Sequence, residues 1–222
     1  IIRAKIEDGE YAPGCSIPSE NELAKAYQIN RLTVRNGIDA LVKEGLLKRV
    51  QGRGVFVVGD KIDVDLDVFG GFRKTMHKQH ANATVRVINR FRRPADSKFA
   101  KILQIDPSDE IFFIKRLNLM NTQPYELEQV IVPTKRVPNL DSIDLSVFSL
   151  YEIYGFCGIS LAKDRETLDI VHLEAKDARY LGVDAGTPAM LLSDITYDID
   201  NVPIECSFTL SCEEKSHFYV HF

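Results

Sequence analysis

The feature that most constrains the fold lies in the first sixty residues: two amphipathic stretches separated by three residues, then two short alternating runs joined by a glycine-flanked turn. Ser19 and Glu22 stand in capping-box spacing just after Pro18, so a helix starts there with Leu23, Ala24 and Tyr27 on its apolar face. Gln28-Ile29-Asn30 interrupts the pattern. Asn30 can cap a second helix running to about Glu44, because Val34, Ile38, Leu41 and Val42 recur on one side of it. Gly45 ends that helix. Leu46–Gln51 and Val55–Val58 then alternate as strands, with Gly52-Arg53-Gly54 as a tight turn. Upstream, Ile2 and Ile6 read as the tail of a helix that begins before the first residue, followed by breakers at Gly9 and Pro13-Gly14.

A helix pair with a hairpin suits nucleic acid only if the charge is placed for it. The chain carries a net −4, but the balance is uneven. Residues 1–60 hold nine Lys and Arg against eight Asp and Glu, or +1, which leaves −5 for the remainder. Within Gln28–Lys61 seven basic side chains face three acidic ones, a local +4. Charge alone fits an ordinary solvated face equally well. Position adds more. A helix that reads a major groove needs long hydrogen-bonding side chains on an exposed first turn and a half, and Arg31, Thr33 and Arg35 satisfy this. Arg53, at the hairpin tip, can meet a phosphate or enter the minor groove.

Beyond Val58 an acidic alternating stretch reads as a linker or edge strand, which places a boundary near Asp60. Strand-like runs follow at Thr84–Arg92, Glu110–Met120, Tyr125–Val132, Lys163–Val171, Ala189–Asp198 and Pro203–Leu210. Helical pieces at Lys98–Leu103, Leu145–Ile153 and Leu173–Leu181 lie among them. The turns Asp106-Pro107, Asn121–Pro124 and Asp200–Pro203 sit at hairpin distance, so the sheet should be mostly antiparallel and the class α+β. With 45% hydrophobic and 27% charged residues the chain can bury two modest cores.

Several functions find no support. No run approaches the roughly 18 apolar residues of a membrane span, and no secretory leader is legible, so the chain reads as soluble and cytoplasmic. Cys15, Cys157, Cys206 and Cys212 form no CxxC pair and read as reduced thiols. No nucleophile elbow, Walker loop or GxGxxG occurs, so no enzyme and no cofactor are expected. His77-x-x-His80 could share a helical face, but without Glu or Cys at ligand spacing it reads as polar surface rather than a metal site.

The segments Gly9-x-Tyr11-x-Pro13-Gly14, Ile17-Pro18-Ser19-Glu20-x-Glu22-Leu23-Ala24, Asn30-Arg31-x-Thr33-Val34-Arg35 and Glu44-Gly45-Leu46-Leu47-x-Arg49-x-Gln51-Gly52-Arg53-Gly54-x-Phe56-Val57 closely resemble the winged helix-turn-helix of the GntR family. The resemblance implies a DNA-binding domain over residues 1–59, with Asn30, Arg31, Thr33, Arg35, Gln51, Gly52 and Arg53 at operator DNA. Asn21 departs from it, standing where some members carry an arginine.

After a linker at residues 60–67, residues 68–222 resemble the UTRA effector-binding domain of the HutC-like subfamily, with its chorismate-lyase-like fold. The landmarks are Phe72 and Met76, Lys115-Arg116-Leu117, Gln123-Pro124, Glu126-x-Glu128, Phe148-Ser149-Leu150-Tyr151-Glu152, Glu166, Ala178–Leu181 and Tyr197–Ser207. By resemblance the effector is held by Gly71, Phe72, Arg73, Arg116, Glu128, Ser149, Tyr151 and Glu166. A guanidinium, hydroxyls and a helix N-terminus are what an anion needs. Asn118 stands where sugar-phosphate-binding relatives carry a second arginine, Gly71 and Arg73 stand in place of loop hydroxyls, and Ser211-Cys212-Glu213-Glu214 lacks an arginine found there in some. The ligand class is therefore open between a sugar phosphate and an amine, amino acid or organic acid, with a lyase-like activity as the minor alternative. The resemblance further implies a repressor that acts as a homodimer and exchanges operator DNA for a small-molecule effector.

Overall fold

In the computed structural model, residues 1–59 and 83–212 are described. The chain divides into two compact units that do not follow chain order: residues 1–63 with 141–158, and residues 64–140 with 159–222.

In the first unit, α1 (Ile2–Glu7), α2 (Glu20–Tyr27) and α3 (Arg31–Lys43) precede a hairpin of β1 (Leu47–Val50) and β2 (Gly54–Val57). The expected capping box forms: the Glu22 N–H donates to Ser19 Oγ at 3.3 Å and the Ser19 N–H donates to Glu22 Oε2 at 2.8 Å. Gln28 takes a left-handed φ of 54° that ends α2, and the Asn30 side chain accepts from the Leu32 N–H at 2.7 Å to start α3. The hairpin pairs Leu47 with Val57 and Val50 with Gly54. Residues 14–17 add a third rung, since Ile17 N–H donates to Val55 O and Val57 N–H donates to Cys15 O, each at 2.9 Å. Leu23, Val34, Ile38, Leu41, Leu47, Val55 and Val57 are buried together, and Ile2 and Ile6 pack on them. The sequence periodicity thus names the core residues here.

The segment 141–158 belongs to this unit. Its helix, α5 (Leu150–Phe156), is shorter than the sequence suggests. Asp144 explains the difference: its Oδ1 accepts from the Ser146 N–H at 3.0 Å and its carbonyl from the Val147 and Phe148 N–H groups, closing a separate turn. Ser149 is then extended and caps α5 through a second capping box with Glu152. Phe148 stands edge-on to Phe56 of β2 at 6.0 Å and to Phe156 at 5.4 Å.

The second unit is one antiparallel sheet of six strands: β3 (Ala83–Pro94), β4 (Glu110–Met120), β5 (Gln123–Pro133), β6 (Leu161–His172), β7 (Pro188–Asp198) and β8 (Pro203–Ser211). They lie in the order β3-β4-β5-β8-β7-β6. The antiparallel α+β expectation holds, and every expected strand is present, most extended by one to three residues. Asn121 and Thr122, both at positive φ, make the β4–β5 connection. Asp106-Pro107 instead joins a helix to a strand, because α4 (Asp96–Leu103) intervenes between β3 and β4. Helix α6 (Ala175–Leu181) ends at Gly182, φ 71°, as its sequence predicts. Both helices cover one face: α4 brings Phe99, Ala100 and Leu103 onto Ile111, Ile131 and Cys206, and α6 brings Ala178 and Leu181 onto Leu117, Leu127 and Ala189. The alternation of β4 and β5 turns Arg116, Asn118, Glu126 and Glu128 to the opposite face.

Candidate functional site

On the first unit the cationic side chains are gathered by one carboxylate. Glu20, at the start of α2, is 11% exposed at its side chain and accepts from Arg31 Nε at 3.1 Å, Arg35 Nε at 3.2 Å and Arg49 Nη1 at 3.0 Å. Arg35 Nη2 adds a bond at 3.2 Å to the second oxygen. Arg49, on β1, also donates to Asp39 of α3 at 2.7 Å. The Arg35 and Arg49 guanidinium groups hold the Glu20 carboxyl down at about 2, well below the usual carboxylate range. Three arginines around one anion leave a net positive cluster whose arginine side chains are 40–57% exposed.

Arg31, Arg35, Arg49, Gln51, Gly52 and Arg53 border one concave surface between the recognition helix α3 and the wing. Gly52, at φ 73°, lets the tip turn tightly. Thr33 is exposed on α3, and Asn30 has its side-chain oxygen committed to the cap. Arg53 pairs with Asp144 at 2.9 Å and bonds Ser146, while Lys48 of β1 lies 3.7 Å from Glu152 and 5.2 Å above the Phe148 ring. Glu20 and Arg49 are not among the site residues predicted from sequence. Their signal was the unusual concentration of arginine in a short stretch with one carboxylate at a helix start, but the convergence needs α2, α3 and β1 to be packed together first.

On the second unit, Arg116 and Glu128 face each other across β4 and β5. Arg116 Nη2 donates to Glu128 Oε1 at 2.9 Å and Nε to Oε2 at 2.5 Å, with the side chains 11% and 14% exposed. Two residues on, Asn118 is 1% exposed; its Nδ2 reaches Glu126 at 3.4 Å and Glu128 at 3.3 Å, while its Oδ1 meets no donor. Burial, then the neighbouring Glu128 charge, pushes the Glu126 carboxyl up to about 7. Glu166, on β6, is exposed and close to Asp164 and Asp194. Ser149 caps α5, with Tyr151 in its first turn edge-on to Tyr154 at 6.3 Å. Gly71, Phe72, Arg73, Met76, His77 and His80 lie outside the described residues.

The comparisons agree with both halves. Residues 1–57 match the family model described as bacterial regulatory proteins, gntR family, and residues 78–214, more than half the chain, match the UTRA domain. The chain belongs to the GntR family, with a UTRA domain. This regulator is 30% identical to the HTH-type transcriptional repressor NagR of Bacillus subtilis over 88% of its length and 81% of that protein. It is 29% identical to the probable fructoselysine utilization operon transcriptional repressor of Escherichia coli K12, over 96% of this chain and 90% of that one. In fold it resembles PhnF from Mycobacterium smegmatis, with a TM-score of 0.66 at 26% identity, covering 100% of this chain and 99% of that one. It is a DNA-binding transcriptional regulator and not an enzyme. No helix among the described residues is long and apolar enough to cross a membrane.

Proposed function

We propose that the regulator is a cytoplasmic, homodimeric repressor that binds operator DNA through residues 1–59 and releases it when a small metabolite binds the domain at residues 68–222, the two being joined by a linker at 60–67. The observation that carries the DNA role is the arginine cluster set by Glu20 between α3 and the wing. Arg31 and Arg35 read bases and phosphates from the first turns of the recognition helix, Thr33 lies beside them, Asn30 holds the helix start, and Gln51, Gly52 and Arg53 approach the backbone and minor groove. Two such units in a dimer suit a pseudo-palindromic site.

The effector reading rests on the Arg116–Glu128 pair and on Asn118, whose buried Oδ1 lacks a donor. A ligand hydroxyl or amine supplies that donor; the effector is proposed to be a sugar-derived metabolite such as a sugar phosphate, with an amine, amino acid or organic acid as the alternative. Names of relatives such as the fructoselysine utilization repressor support the sugar-derived part. Ser149, Tyr151 and Glu166, with Gly71, Phe72 and Arg73, complete the proposed contact set. Effector binding lowers operator affinity by favouring a dimer geometry incompatible with the two half-sites. A ligand indifferent to the two arrangements would shift nothing.

The experiment has two arms. A duplex selected from a randomised pool is titrated with the chain and with Arg35→Ala; a loss of about tenfold or more is expected, and unchanged affinity rejects the base-reading role. A thermal-shift screen of sugars, sugar phosphates, sugar amines and organic acids is run on the chain and on Arg116→Ala. A ligand that raises the melting temperature, weakens operator binding and is lost in the variant supports the pocket; a ligand unaffected by the variant refutes it.

A further inference from the structure

We propose that Asp164, Glu166 and Asp194 form a binding site for one hard divalent cation, calcium by its donor set, on the β6–β7 ladder. Asp164 and Glu166 are two apart on a strand and so share a face; across the ladder Glu166 opposes Asp194 and Asp164 opposes Thr196. One oxygen from each of the three carboxylates lies within 4.8 Å of the others. Asp194 is 8% exposed, and its Oδ1 meets no donor; Asp164 Oδ1 is also buried without one. The other Asp194 oxygen has a neutral partner, Thr196 Oγ1, at 3.3 Å.

Among the described residues no lysine or arginine forms an ion pair with any of the three. Like charges facing each other across a ladder repel, and two of these carboxylates are withdrawn from water, so the arrangement calls for positive charge. Burial and mutual repulsion raise Asp194 to about 7 and Asp164 to about 6, the behaviour of acids that lack a counter-ion. A bound cation replaces their protons.

The donor set selects the ion. Three carboxylates with no His or Cys suit a hard cation rather than zinc. Oxygens that all lie within 4.8 Å of one another can share one ion; magnesium keeps several waters and takes one or two carboxylates, whereas calcium, held at about 2.3–2.6 Å in a looser shell, accepts three. Glu166 is exposed, so water can fill the remaining positions. The sequence spacing hid the site because its ligands come from two strands separated by α6.

The test is calorimetric titration of the full chain, stripped with chelator, with calcium chloride, alongside its melting temperature. One ion per chain with a Kd of about 10⁻⁵–10⁻³ M, a higher melting temperature, and at least tenfold weaker binding in both Asp194→Asn and Glu166→Gln are expected. Glu166 is exposed, so that second variant tests binding without threatening the fold. No saturable binding up to about 10 mM, or binding that survives both substitutions, overturns the proposal. So does stabilisation by a diamine such as putrescine with none by calcium, which would assign the cluster to an organic cation.

Discussion

Glu20 shows how one residue can determine what several others do. Arg31, Arg35 and Arg49 would each sample many rotamers alone, and an anion with 11% exposure fixes all three at once. Its carboxyl, held at about 2, is depressed below its ordinary value, so its stabilisation is full above about pH 4.5 and is lost only as pH falls through 2. The cluster is therefore invariant over physiological pH. Glu20→Gln removes one negative charge from a surface that faces phosphates, but also the anchor for three guanidiniums. Non-specific affinity should rise severalfold while specific affinity falls, narrowing the ratio between selected and scrambled duplexes by about tenfold. Parallel titrations of the two duplexes at fixed salt measure this, and an unchanged ratio would mean the arginines are positioned without Glu20. Asn30 caps α3 as its sequence position suggests, its oxygen accepting from the Leu32 N–H, so Asn30→Ala should cost about 0.5–2 kcal/mol of stability, read as a lower urea midpoint.

At the scale of elements, the wing and segment 141–158 act together. Arg53 cannot meet a phosphate while it is paired with Asp144 and Ser146, and the same segment presents Phe148 to Phe56. An exposed ion pair is worth about 0.2–1 kcal/mol. Asp144→Asn should therefore tighten operator binding by about two- to fivefold, with a salt slope steeper by up to about one. Anisotropy titrations at two salt concentrations read both quantities. If affinity and slope stay the same, Arg53 does not reach the DNA.

For the whole molecule, pH should act most visibly through the sheet. Glu126 titrates at about 7 when folded, raised by burial and by Glu128. A raised carboxyl contributes stability that is full below about pH 4.5 and is lost as pH rises to 7. Glu126→Gln removes that dependence. The variant should gain stability over the parent progressively from pH 5 to pH 8, by about 1–3 kcal/mol at the upper end. Melting curves at both pH values test it, and an equal gain at each would remove Glu126 as the titrating group.

Local signals determined much of this regulator. The capping box at Ser19, the Asn30 cap, Gly45 and Gly182 as helix ends and the period-two runs of β4 to β8 are short-range features, each satisfied by neighbours within a turn or a strand. They were legible because backbone groups must find partners nearby. The start of α5 was misread because Asp144 offers the backbone a competing turn. The convergence on Glu20, the Arg116–Glu128 pair, the placement of segment 141–158 with the wing and the three carboxylates of β6 and β7 were decided only by tertiary structure. In each, residues distant in sequence meet, from 11 positions apart for Arg31 and Glu20 to 104 for Lys48 and Glu152, and charge pairing at such separations depends on register and packing rather than on sequence spacing.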